Sequence, residues 1–405
     1  MPHVQGHSVR LAALFALALV VLFGSFGRAE TRAAVGCAWL GESDQRDVNI
    51  GAPDLDAYYV ENVLRPDPNT EVTIHGRFPH ARYFSFHVYD AQGDVVGSIY
   101  DQQITADRGS VNPYRGRATW SAGDDYTVRV AFIAAPAKPA PNTLYVDPAK
   151  AGAAAPLVYR IYVPRHASDP SGDVGYPEVV TSRGGQTALD QGGCVTSPPP
   201  FGSLLWREEA ALDYPSGLPA ATNASATKIP TWTRAYGSKL GNEQNAYLGA
   251  ILSRQYGDLV VVHTRAPSFP NTLRGARPYA KAQLRYWSFC TYDDQGEAGF
   301  GCAADYAAGA RRGWLTYVVS DPGQRPSNAT TANGVAWVPW GATQSAIQLV
   351  YRNMLPAKSF RYAAQRIQPG QSAKTVMGPY YPQAVYCSKG TFERGGWKAC
   401  FRSAG

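Results

Sequence analysis

Apolar and polar positions alternate over short runs along most of this chain, and the runs are closed by Gly, Pro or Asp. A period of two is the signature of a β-strand with one buried face. The clearest run is Arg82-Tyr-Phe-Ser-Phe-His-Val-Tyr-Asp90. Alternation puts Phe84, Phe86 and Val88 on one face and Tyr83, Ser85, His87 and Tyr89 on the other. The run returns as Arg285-Tyr-Trp-Ser-Phe-Cys-Thr-Tyr-Asp293, with Arg, Tyr, Ser, Phe, Tyr and Asp at the same offsets.

The neighbouring runs return in the same order. Glu71-Val-Thr-Ile-His-Gly-Arg77 precedes the first copy and Leu259-Val-Val-Val-His-Thr-Arg265 the second, aligning His75 with His263 and Arg77 with Arg265. Asp90 to Asp94 and Asp293 to Glu297 follow as hairpin turns, where Gly93 is free to take positive φ. Tyr126–Val130 matches Trp314–Val319, and Leu157–Pro164 matches Leu349–Pro356, the latter two each closed by proline. The pattern predicts an all-β protein: two duplicated antiparallel β domains with a few short helices. The first spans residues 37–194 and the second 232–405, ending in a tail outside the repeat. Pro198-Pro-Pro200, Pro215 and Pro219 mark a connector over 195–231. Short helices are expected over Leu204–Leu212 and Ser359–Ile367.

A length of 405 residues suits two domains. With 45% hydrophobic and 17% charged residues, a disordered chain is excluded. Arg10, the apolar run Leu11–Phe23 and Gly27-Arg-Ala29 have the form of a cleavable export signal over residues 1–29. The chain is therefore expected to be secreted or extracytoplasmic, touching a membrane only through that segment. The formal charge of +7 is spread along the sequence, and no Lys/Arg stripe marks a nucleic-acid interface. The oligomeric state is not indicated.

Six cysteines, Cys37, Cys194, Cys290, Cys302, Cys387 and Cys400, are an even set in an exported chain and point to disulfides. Fifteen pairings exist for six cysteines. Proximity favours Cys290–Cys302 across a hairpin and Cys387–Cys400 in the tail, leaving Cys37–Cys194 to clasp the first domain. Ala34-Val-Gly-Cys37 has the form of a lipid-attachment box, but Arg28, Glu30 and Arg32 separate it from the apolar run, which favours a structural cysteine. The absence of Cys-x-x-Cys argues against thiol redox chemistry and a zinc knuckle.

Tyr286-Trp-Ser288, Tyr292-Asp293 to Gly296, Gly313-Trp-Leu-Thr316, Ser320-Asp-Pro322, Trp337-Val-Pro339 and Tyr351-Arg352 to Pro356 together resemble a bacterial domain family of unknown function. The likeness covers residues 284–356, with a fainter echo over 82–164. It departs by placing Arg352 before Asn353 and by lengthening the spacing to Trp337. The whole chain is also similar to secreted, uncharacterised proteins of high-GC bacteria. The resemblance implies that the two duplicated domains are jelly-roll-like antiparallel β-sandwiches, and it implies no particular activity.

His75 and His263 are the sharpest chemical candidates, each with Arg two residues on and on the same strand face. Such a pair can bind a carboxylate or phosphate, or supply a general base; it can equally be a hydrogen-bonding surface pair. Trp337 and Trp340 flank Pro339 in a loop and are candidates for stacking on a sugar, against core packing as the alternative. Arg274, Arg277 and Lys281 lie in a basic insertion over Ala266–Ala282, where an acidic ligand would enter. The turn carboxylates at Asp90, Asp94, Asp293 and Glu297 offer oxygens to calcium, but a tight turn needs the same residues, and no twelve-residue calcium loop exists. Arg160 and Arg352 are expected to pair with carboxylates such as Asp90 or Asp293. No nucleophile elbow, zinc-protease helix, phosphate loop or dinucleotide fingerprint is present. No cofactor or metal is expected. The expected function is binding of a small molecule or glycan in a cleft between the two domains, with Arg265, Arg274, Arg277, Trp337 and Trp340 as contacts. The alternative is a secreted enzyme acting on carbohydrate or a small lipophilic metabolite, with His263 as acid/base.

Overall fold

The computed structural model describes residues 36–39, 42–43, 51–116, 120, 124–193, 225–296, 298–341 and 343–404. The expected export signal, Cys194 and most of the connector, with its expected helix, lie outside the described residues. Residues 34–405 form one compact unit.

Among the described residues ten strands build the first half: β1 Glu42–Ser43, β2 Ala57–Leu64, β3 Thr70–Arg77, β4 Ala81–Tyr89, β5 Val95–Tyr100, β6 Asp125–Ala131, β7 Thr143–Tyr145, β8 Ala155–Pro164, β9 Glu178–Arg183 and β10 Gln186–Gln191. The second half has β11 Thr233–Ala235, β12 Asn245–Ser253, β13 Leu259–Arg265, β14 Tyr286–Tyr292, β15 Gly299–Ala304, β16 Trp314–Ser320, β17 Val335–Pro339, β18 Ala346–Met354 and β19 Gln383–Cys387. Among the described residues helices are few and short: α1 Pro148–Ala151, α2 Ala373–Met377 and α3 Lys389–Ala404, the last kinked at Gly396. Residues 359–367, expected as a helix, form only a 3-10 turn over Ala364–Arg366. Among the described residues no helix is long and apolar enough to cross a membrane.

Four sheets result. One front sheet runs β1, β2, β8, β4, β5, and the other runs β11, β12, β18, β14, β15. One back sheet runs β10, β9, β3, β6, β7; the other runs β19, β13, β16, β17. The pairing is antiparallel except for β6 with β7 and β16 with β17, which are parallel. The two halves therefore share a strand order, with β9 and β19 occupying the same flank of the back sheet.

Each half is a sandwich, filled by the apolar positions that alternation predicts. In the first, Phe84, Phe86 and Val88 of β4 meet Val72 and Ile74 of β3 and Val128 and Val130 of β6. In the second, Trp287 and Phe289 of β14 meet Val260 and Val262 of β13 and Tyr317 of β16. The hairpin turns use their own acids. The Asp90 carboxylate accepts from Gln92 N and Asp94 N at 2.9 Å, and Gly93 adopts φ 77°. Asp293 accepts from Ala298 N at 3.2 Å.

Cys290 lies directly opposite Cys302 in the β14–β15 ladder, and the two are bonded. Cys387 and Cys400 are bonded as well, tying α3 to β19. Both pairings match the expectation from spacing and fit an oxidising, extracytoplasmic setting. Cys37 bridges to Gly192, and Ala38 and Trp39 beside it are buried in the first core. Its expected partner is outside the described residues. The tail wraps as expected, but as a helix: Phe392, Trp397 and Phe401 of α3 cover the outer face of the back sheet over Leu259, Val261 and Val318.

Candidate functional site at the junction of the halves

β4, β8 and β14 are buried along their whole length. Their second faces are covered because the two front sheets meet. Tyr83 and Tyr162 of the first half pack with Tyr286, Ala304 and Met354 of the second. The recurring Arg-Tyr-x-Ser-Phe motif thus faces a sandwich core on one side and the other half on its other side.

The contacts across the junction are reciprocal. Arg82 Nη1 meets Asp305 Oδ1 at 2.5 Å, and Arg285 Nη1 meets Asp101 Oδ2 at 3.1 Å. Each arginine reaches into the opposite half. All four side chains are buried, and burial pushes the Asp101 and Asp305 carboxyls up to about 6, against the pull of their arginines. The loops before β2 and β12 cross over in the same way. Asp54 accepts from Tyr286 OH at 2.8 Å and Ser288 Oγ at 2.6 Å, while Asn242 accepts from Tyr83 OH at 3.2 Å. Arg352 donates to the Ala52 carbonyl and Arg160 to the Leu240 carbonyl, both at 2.6 Å. These closing-strand arginines do not pair with the turn acids Asp90 and Asp293, as the sequence suggested. Those acids sit at hairpin ends, whereas the arginine side chains project into the junction.

Backbone strain is placed symmetrically too. Ala52 and Leu240 take φ 54° and 50°; Val163 and Leu355 take φ 50° and 44°. Positive φ is costly for any of these residues, and most for β-branched Val163. At Ala52 and Leu240 it aims a carbonyl at an arginine of the other half; at Val163 and Leu355 the amide donates within its own half, to Asp56 O and Gln244 O.

A cleft of about 730 Å³ opens where the halves meet. Tyr100 and Gln102 line it from the first half; Tyr279, Lys281, Lys358 and Phe360 line it from the second. Arg285 lies in its wall, held by Asp101. The Tyr279 hydroxyl is buried and has no hydrogen-bond partner, and the Arg277 guanidinium sits 5.6 Å from its ring centre. Lys281 and Lys358 are exposed. A second cavity of about 390 Å³ lies in the second half beside Trp232, Arg234, Tyr236 and Gln371.

The sequence-expected site residues do not gather there. His75 is exposed on the outer face of the first back sheet, with Nδ1 3.2 Å from Thr127 Oγ1. His263 sits at the equivalent place in the second half, with Nδ1 3.1 Å from Thr316 Oγ1. It is stacked between Trp314, at 4.9 Å, and Trp397, at 3.7 Å. Burial, aided by Lys398, lowers its pKa to about 4 although a backbone hydrogen bond works the other way, so the ring is neutral at pH 7. Arg265 lies over Trp314 at 4.7 Å. Trp337 is half-buried beneath Arg325 and donates to Ser320 Oγ. Trp340 is fully buried in the second core and is no exposed stacking platform. Arg274 and Arg277 are exposed and line neither cavity; Lys281 of the same insertion lines the larger one. Tyr100, Gln102, Lys358 and Phe360 were missed. Their only signal was position, at the ends of β5 and β18, where the repeated frame gives way to loops.

No family model matches the chain, and no curated protein matches it. Among solved structures, an uncharacterised protein from Burkholderia cenocepacia has the same fold, with a TM-score of 0.52 at 14% identity. The match covers 88% of this chain and 83% of that one. A protein from Vibrio parahaemolyticus aligns over 84% of this chain and 92% of its own, at 10% identity and a TM-score of 0.40. The fold is therefore shared with an uncharacterised bacterial protein.

Proposed function

We propose that this is an exported binding protein whose ligand, a small molecule or glycan carrying an anionic group, lodges in the junction cleft. The observation that carries the reading is the cleft's construction. Its volume falls within the ~300–1,000 Å³ of ligand sites. Both halves contribute walls, two lysines stand at its mouth, and a buried phenol lacks a partner. A carboxylate entering between Lys281 and Lys358 would gain charge-assisted hydrogen bonds, and Tyr100 and Phe360 offer apolar faces. The shared strand order and the crossed contacts support an origin by duplication, with the cleft arising where the copies meet.

The test is a panel of acidic oligosaccharides and small carboxylates, followed by calorimetry. Binding is expected to weaken at least tenfold in Lys281→Ala/Lys358→Ala and in Tyr279→Phe. A ligand that binds all variants equally, or a panel without a hit, would sink the reading. The enzyme alternative draws less support, because His263 lines neither cavity and both ring faces are occupied by tryptophan. Turnover of a panel compound, lost in His263→Ala, would reinstate it.

A further inference from the structure

A buried difference between the two halves of the junction leaves a cation without a counter-charge. Asp54 and Asn242 occupy the same place. Each backbone amide donates to a tyrosine five residues on, Tyr59 or Tyr247, and each side-chain oxygen accepts from the amide two residues on, Asp56 or Gln244. In one copy the side chain is a carboxylate, bound by Tyr286 OH and Ser288 Oγ, with Arg352 Nη1 at 3.8 Å. In the other it is an amide.

Several donors around that amide have nothing to bind. Gln244 N–H occupies the Asn242 oxygen, which fixes the other amide atom as nitrogen, and that nitrogen has no partner; the Tyr83 hydroxyl makes its shorter bond, 2.8 Å, to Gln244 Oε1. Arg160, the equivalent of Arg352, is 4% exposed; Nη1 of both arginines lacks a hydrogen bond, but Arg352 has the Asp54 carboxylate at 3.8 Å. Among the described residues no carboxylate lies within 4 Å of Arg160. Ser85, opposite Arg160 in the ladder, lies beside the Tyr83 phenol and makes no well-formed hydrogen bond. His87, two residues further on the same face, accepts from Glu243 N–H through Nε2 at 3.4 Å. Its proton is thereby placed on Nδ1, which is also unpartnered and buried. Burial and the neighbouring Arg160 keep this imidazole neutral. Arg160 Nη1, Asn242 Nδ2, His87 Nδ1 and the Ser85 hydroxyl are thus left without partners around a desolvated guanidinium, and such a charge is costly unless it is compensated.

We propose that this half-junction binds a small monovalent anion, chloride in the first instance, beside Arg160 Nη1, supplying the charge that the Asp54 carboxylate brings in the other half. The Tyr59 and Tyr89 rings stand 5.6 and 5.4 Å from the Arg160 guanidinium, so the occupant is monatomic or nearly so. The site is separate from the ligand cleft and does not rest on it.

The experiment uses the full chain. Its melting temperature is followed as sodium gluconate is replaced by chloride or bromide at constant ionic strength, and crystals soaked in bromide are measured at the bromine edge. A saturable rise of about 2–4 °C in chloride is expected, with a bromide peak beside Arg160. Asn242→Asp supplies the missing carboxylate: its melting in gluconate should reach that of the wild type in chloride, and its halide response should vanish. Asp54→Asn should lower stability and add a second halide response. Melting indifferent to halide, a halide response retained in Asn242→Asp, or a water alone at Arg160 in bromide-soaked crystals overturns the proposal. Should Asn242→Asp fail to fold, the bromide map of the wild type decides.

Discussion

Asp305→Ala isolates the buried pair with Arg82. The carboxylate and guanidinium are both fully buried and 2.5 Å apart. Removing the acid leaves Arg82 desolvated, with Thr272 Oγ1 at 3.4 Å and the rings of Phe269, Tyr286 and Tyr306 around it. Deleting one partner of such a pair costs about 3–5 kcal/mol, because an unpaired charge stays in the interior. Replacing both by apolar groups of similar size is near neutral or stabilising. Urea unfolding should therefore show a loss of about 3–5 kcal/mol in Asp305→Ala and recovery of most of it in Arg82→Met/Asp305→Leu. The pH dependence has a defined sign. Burial raises the Asp305 carboxyl from its ordinary value to about 6, so its stabilising contribution is complete below about pH 4 and is lost as pH rises through 6. Relative to the double variant, the wild type should lose stability between pH 4 and 7. A single-variant cost under about 1 kcal/mol, or a double variant as unstable as the single, refutes the buried-charge reasoning.

Two further outcomes follow from the tail. Trp397→Ala opens one face of His263, so the imidazole pKa should rise from about 4 towards 6.5 in an NMR titration. In the wild type, the depressed value means that stability from His263 is full above about pH 6.5 and lost as pH falls through 4. Cys387→Ser/Cys400→Ser opens a loop with a sequence separation of 13 and should cost about 3 kcal/mol, with tryptophan emission shifted to the red as α3 leaves the sheet.

Much of the frame was legible because it rests on alternation. Phe84, Phe86 and Val88 can face a core only if the strand is extended, and the same count buries Trp287 and Phe289. The disulfides at Cys290–Cys302 and Cys387–Cys400 followed from closeness in sequence. The far face of the motif was not legible. Tyr83, Ser85, His87 and Tyr89 are polar enough to suit solvent, and no local pattern tells that another sheet will cover them. The closing-strand arginines were mispaired for the same reason: Asp54 is remote in sequence from Arg352, and Leu240, whose carbonyl Arg160 meets, from Arg160. The tail helix was hidden by Gly395 and Gly396, which lower helix propensity, and by a disulfide that compensates for it.

The crossed pairs and the cleft are mechanically joined. Thr272 and Phe269, which hold Arg82, belong to the insertion between β13 and β14 that also carries Tyr279 and Lys281. In the first half the corresponding link, Phe78 to His80, is short, and no such wall rises from it. The insertion is therefore fixed to its own sandwich at its ends and to the other half through Arg82. Losing Asp305 frees that guanidinium to turn, and the wall it anchors should move with it. If the cleft is the ligand site, Asp305→Ala should weaken binding as well as folding, although Asp305 lines no part of the cleft. Arg82→Met/Asp305→Leu, which restores stability but not the Thr272 hydrogen bond, should remain a weak binder. Normal affinity in that double variant would show that the wall is held by its own packing and that junction and cleft act independently.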